Sequence, residues 1–87
     1  MNYMIYIQYW QVCDRLVYML DNIYAGNNYY DRPNNKFEAK SKIFGKDTII
    51  VDENLEYGYN GIEFLNEIKN HVNYKNKSHI FMYAEYL

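Results

Sequence analysis

The chain has 87 residues and a mass of 10.6 kDa, which leaves room for one domain, residues 1–87, and not for two cores. Its net charge of −2 excludes both a strongly basic nucleic-acid binder and a heavily acidic nucleic-acid mimic, and 49% hydrophobic with 23% charged residues excludes a disordered tail. The apolar runs, such as that containing Met4 to Ile7, are far short of the ~18 residues that cross a bilayer, so no membrane partner and no secretory signal is expected.

Composition carries one further signal. Tyr and Asn each occur 12 times, while Ala, Gly, Pro and Arg together give 10. The frequent residues have A- and T-rich codons, so the bias points to an AT-rich bacterial, phage or plasmid gene rather than to an activity. The lone Cys13 excludes an internal disulfide and fits a reducing cytoplasm.

The first element reads as a helix over roughly residues 3 to 25. Ile5, Tyr9, Val12, Leu16, Met19, Leu20 and Ile23 recur at helical spacing, and Gly26 suits the position past its end. The competing reading makes residues 3–9 a strand, since Tyr and Ile alternate there; the lack of turn residues before the helix speaks for one continuous helix. Residues 26–35 are loop, rich in Asn with Asp31 and Pro33. Lys36 to Ile43 alternates polar and apolar, the period of a half-buried strand, and Asp47 to Asp52 reads as the strand that returns beside it. After a loop over 53–60, Asn60 and Glu63 form a capping box. The helix they open points Ile62, Leu65, Ile68 and Val72 inward, with Phe64 at its edge. His79 to Leu87 completes the sheet as a last strand. The expected fold is α+β in the order αββαβ, two helices on a three-stranded, mainly antiparallel sheet. The alternative, with residues 3–9 as a strand, is βαββαβ and ferredoxin-like.

No catalytic constellation emerges. Cys13 lies on an apolar helix stripe, where a thiol packs as a small hydrophobe, and neither His71 nor His79 has a ligand partner at metal spacing. No catalytic residue, metal or cofactor is therefore expected, and the chain reads as a non-enzyme.

Binding chemistry is more visible. Residues 47–67 hold six acids and no base. A solvated face is the plainer explanation; the functional one is docking onto a basic surface through Asp52, Glu53 and Glu56. A chain of this size has too little interior for 12 tyrosines, so Tyr57 and Tyr59, and Tyr29 and Tyr30 beside Arg32, are expected on loops as contact anchors. Lys36, Lys40 and Lys42 share one face of the expected strand. They either protect a sheet edge or follow a phosphate backbone.

The expected function is thus a small binding protein of phage or mobile-element origin. It would act as an anti-CRISPR-like inhibitor in host-defence evasion, covering the basic surface of a host or defence protein, such as one that binds nucleic acid. The alternative is a single-stranded nucleic-acid module built on the lysine hairpin and loop tyrosines, which the net charge disfavours.

Overall fold

The computed structural model describes residues 1–24, 26–56, 58–70 and 78–82. The element order is β1 (Asn2–Tyr6), α1 (Trp10–Ile23), β2 (Tyr29–Asp31), α2 (Lys36–Ser41), β3 (Thr48–Asp52), β4 (Asn54–Glu56), β5 (Tyr59–Asn60), α3 (Gly61–Ile68) and β6 (Ser78–Met82). Four strands form one sheet in the order β2-β1-β3-β6, every pair parallel. Strands β4 and β5 make a separate antiparallel hairpin between β3 and α3.

A parallel sheet is covered by helices on both faces, so its central strands are apolar throughout rather than alternating. β1 and β3 follow that rule. Met4, Tyr6, Ile49 and Val51 point to one face and pack with Ala39, Ile43, Phe64 and Ile68 from the α2 and α3 side. Tyr3, Ile5 and Ile50 point to the other and pack with Cys13, Leu16, Val17 and Leu20 of α1.

Several expectations are corrected. The sheet is neither three-stranded and antiparallel in the order αββαβ nor the βαββαβ ferredoxin-like alternative. The single helix over 3–25 is a strand and a helix joined by Ile7, Gln8 and Tyr9, and three residues suffice for such a connection. The expected strand Lys36–Ile43 is the short helix α2. Asn35 caps it by accepting from the Glu38 amide at 2.9 Å, an interaction that a period-two pattern does not reveal. Asp47–Asp52 is a strand, but it runs beside β1 rather than returning along a hairpin. The two expected loops contain β2 and the β4–β5 hairpin, whose turn places Gly58 at φ +72°.

α3 begins as expected, with the Asn60 side chain accepting from the Glu63 amide at 2.9 Å. Its inward face differs: Phe64 is fully buried and Ile62 is exposed. Val72, His71 and residues 83–87 lie outside the described residues, as does most of the loop before β6.

Candidate functional site

All four strands end at the same edge of the sheet, and in open α/β sheets that carboxyl edge is where ligands gather. Two features sit there. The first is Asp52, the last residue of β3, only 1% exposed. Its Oδ1 accepts from the Glu53 amide at 2.7 Å. The register pairs Tyr6 with Val51, so Ile7, the next residue of β1's exit, comes level with Asp52, and Gln8 follows it. Neither supplies a carboxylate.

The second feature is a cleft of about 110 Å³ between the loops that leave β1 and β2. Ile5, Ile7 and Leu55 give it an apolar floor, and Gln8, Asn34 and Arg32 give it polar walls beside Trp10. Arg32 is held in two ways. Its Nη1 donates to Asp14 Oδ1 at 2.8 Å, and its Cζ lies 5.2 Å from the centre of the Trp10 ring. The buried Pro33 follows it and fixes the backbone there.

Below the edge, the acidic residues are tied into the fold. Glu56 Oε1 accepts from Tyr6 Oη at 2.7 Å and from the Lys36 amide at 2.9 Å. Glu67 accepts from Tyr59 Oη and from Lys40 Nζ, the latter at 3.1 Å. Lys36 Nζ lies 4.8 Å over the Tyr59 ring. Burial first, then the hydrogen bonds to Glu56 and Glu67, push the Tyr6 and Tyr59 phenols well above their ordinary range. The Tyr59 hydrogen bond, helped by Lys40, holds the Glu67 carboxyl below its ordinary value.

The expected contact residues therefore do not form one outward face. Asp52 is buried, Glu53 is half-buried, and Glu56 is occupied by Tyr6 and Lys36. Tyr59 is half-buried with its hydroxyl engaged, and Tyr57 lies outside the described residues. Tyr29 is exposed but lies in the edge strand β2 rather than on a loop. Tyr30 stacks on Tyr3 at 5.3 Å between centroids and donates to Asp21 Oδ1 at 2.6 Å. The lysines share no strand face: Lys40 pairs with Glu67, and Lys42 and Lys46 both pair with Asp31. Arg32 alone of these residues joins the cleft. Its partners Trp10, Gln8 and Asn34 are missed by the sequence reading because a continuous first helix carries Gln8 and Trp10 away from the loop after β2.

No protein-family model matches the sequence, and no curated protein is similar to it. Among solved structures, the chain is similar to the MaeR response regulator bound to beryllium trifluoride, with a TM-score of 0.79 and 18% identity over 99% of this chain and 69% of that one. The two chains share a fold, and in this one it is an all-parallel sheet in the order β2-β1-β3-β6 with helices on both faces. This corrects the α+β expectation. It also overturns the reading as an anti-CRISPR-like inhibitor directed at a defence protein with a basic surface, and with it the nucleic-acid alternative, whose lysine hairpin does not exist. No helix among the described residues is long and apolar enough to cross a membrane.

Proposed function

We propose that the chain is a receiver-like signalling domain, cytoplasmic and non-enzymatic, that passes its signal by protein contact without accepting a phosphoryl group at Asp52. Its partners on this reading are a histidine kinase or an effector domain. The receiver fold supports the signalling half. The residues beside Asp52 carry the other half.

A carboxylate that takes up a phosphoryl group must reach the donor, and Mg²⁺ beside it needs oxygen ligands, usually one or two carboxylates together with phosphate oxygens. Asp52 is buried and accepts from the next amide, while the exit of β1 offers Ile7 and Gln8. No group of three His, Cys, Asp or Glu side chains placed to hold a metal ion occurs among the described residues. Ile7 and Gln8 add no second carboxylate beside Asp52, and the neighbouring Glu53 is only half-buried, so these donors make a poor Mg²⁺ site.

The test pairs two measurements. Incubation with acetyl phosphate and Mg²⁺ is expected to leave the mass unchanged, and beryllofluoride with Mg²⁺ to leave the amide resonances around Asp52 in place. A covalent phosphate that disappears in Asp52→Asn overturns the phosphorylation half. Calorimetry against kinase and effector domains from the same genome is expected to give a saturable complex, and its absence across that panel overturns the signalling half.

A further inference from the structure

We propose that the cleft between Trp10 and Arg32 binds a small organic anion, a carboxylate or phosphate carried on a short apolar body, as the signal the domain responds to. The inference rests on the reading above, in which no phosphoryl group arrives at Asp52. It deepens that reading by naming what enters instead.

Size sets the first limit. The cleft holds about 110 Å³, somewhat less than the ~150 Å³ cavity that takes a benzene ring. A ligand of four to six non-hydrogen atoms is of the right order. Charge sets the second. The lining contains one formal charge, the guanidinium of Arg32, together with the neutral amides of Gln8 and Asn34, and no carboxylate. The nearest acid, Asp14, meets Arg32 from outside and is itself 63% exposed. A pair so open to water is weak, so it opposes a ligand little. Arg has five N–H donors in a planar fork, and Asp14 is bonded to one nitrogen of it.

Shape supplies the third limit. The indole of Trp10 is 63% exposed although it belongs to the cleft wall, and the cation stacked on it keeps it in place. Ile5 and Leu55 are almost fully buried, so the half-buried Ile7 is the apolar surface that would meet the body of the ligand while Arg32 holds its charged end. The first turn of α1, which carries no acidic side chain, opens beside the cleft and adds partial positive charge. The loops after β1 and β2 both line the cleft, so a bound anion would couple the entrance of α1 to the entrance of α2.

Trp10 is the only tryptophan, so its fluorescence reports on the cleft directly. The full chain is titrated at constant ionic strength with propionate and, separately, with methyl phosphate. Saturable change in the millimolar range with either supports the proposal, and which one binds tells carboxylate from phosphate. Arg32→Gln is expected to weaken binding about tenfold or more, the loss of a hydrogen bond to a charged group. Arg32→Lys is expected to retain part of the affinity, and Asp14→Asn to leave it unchanged or raise it.

Should Arg32→Gln fail to fold, as judged by circular dichroism, amide shifts of Gln8, Arg32 and Asn34 in the unaltered chain give the same reading. Quenching that rises linearly without saturation, equal binding in Arg32→Gln or Arg32→Lys, or amide shifts confined to other surfaces would each overturn the proposal. Failure here leaves the Asp52 experiment intact, because that one reads mass and the resonances around Asp52. Phosphorylation at Asp52 would remove the underlying reading while binding at Trp10 stayed measurable.

Discussion

Tyr6 Oη donates to Glu56 Oε1 at 2.7 Å, and through this bond the last residue of β1 holds the β4–β5 hairpin. The same oxygen accepts from the Lys36 amide at the start of α2. One carboxylate thus joins a strand, a hairpin and a helix that lie up to 50 residues apart in sequence. Tyr6→Phe keeps the ring, its edge-on contact with Phe64 at 5.2 Å and the Lys36 bond. It should cost about 1 kcal/mol. Glu56→Ala strips the acceptor from both donors at once and should cost about 2–3 kcal/mol. Urea denaturation of the two variants measures this ordering, and equal losses would show that the Lys36 amide bond adds nothing to the Tyr6 one.

The caps at Asn35 and Asn60 have the same local form and different surroundings. Each accepts from the amide three residues on, at 2.9 Å. Substitution by Ala should cost about 1 kcal/mol in each case, and by Asp much less. α2 has only six residues, and α3 has eight with Phe64 and Ile68 in the core. Hydrogen exchange should therefore show Asn35→Ala freeing the amides of Glu38 to Lys42, while Asn60→Ala lowers the stability of the whole domain with little local opening.

The same two caps show how far the fold is legible in the sequence. Asn60 and Glu63 announce α3, because nothing nearby suggests another structure. Asn35 and Glu38 announce α2 in the same terms, but Phe37, Ala39, Ser41 and Ile43 alternate with charged residues and favour a strand. The helix turns Ala39 into the core while Phe37, which a strand would place on the same face, stays exposed. β1 is hidden for a different reason. A strand buried on both faces shows no alternation of burial, and Met4 to Ile7 continues into the apolar stripe of α1. Strand direction is not written locally at all; it follows from crossovers that pack only in three dimensions. In the site, Arg32 is legible as a cation among tyrosines, whereas Trp10 becomes its neighbour only once β1 and α1 are separate.

Among the described residues Phe64 is the largest fully buried side chain, enclosed by β1, β3 and its own helix. Phe64→Ala should cost about 3–5 kcal/mol, from lost transfer energy and the cavity left behind. Domains of this kind are stable by about 5–15 kcal/mol, so the variant sits at or near the edge of folding. Phe64→Leu fills most of the space and should cost about 1–2 kcal/mol. Thermal unfolding of the pair decides the point. A mild Phe64→Ala would mean that Tyr6 and Leu65 close over the gap, since both already pack in the same cluster.

Stability should decline at both ends of the pH scale, for opposite reasons. The hydrogen bond from Lys46, with Lys42 nearby, holds the Asp31 carboxyl below its ordinary value of 3.8. A carboxyl depressed on folding contributes stability that is fully present above the unfolded value and is lost as the pH falls through 3.8 toward the folded one. Glu67 is shifted in the same direction and adds to this acid limb. At the other end, burial and the hydrogen bond to Asp21 push the Tyr30 phenol up to about 12. The unfolded chain then releases its proton near 10 while the folded one keeps it, so stability is complete below 10 and drains away as the pH rises toward 12. Tyr6 and Tyr59 extend the same limb. Urea midpoints taken across the range should show a plateau with two falling edges. Asp31→Asn should flatten the acid edge alone, and Tyr30→Phe the alkaline edge alone. If Tyr30→Phe left the alkaline edge unchanged, the loss there would belong to Tyr6 and Tyr59, whose carboxylate partners join the hairpin and α3 rather than β2.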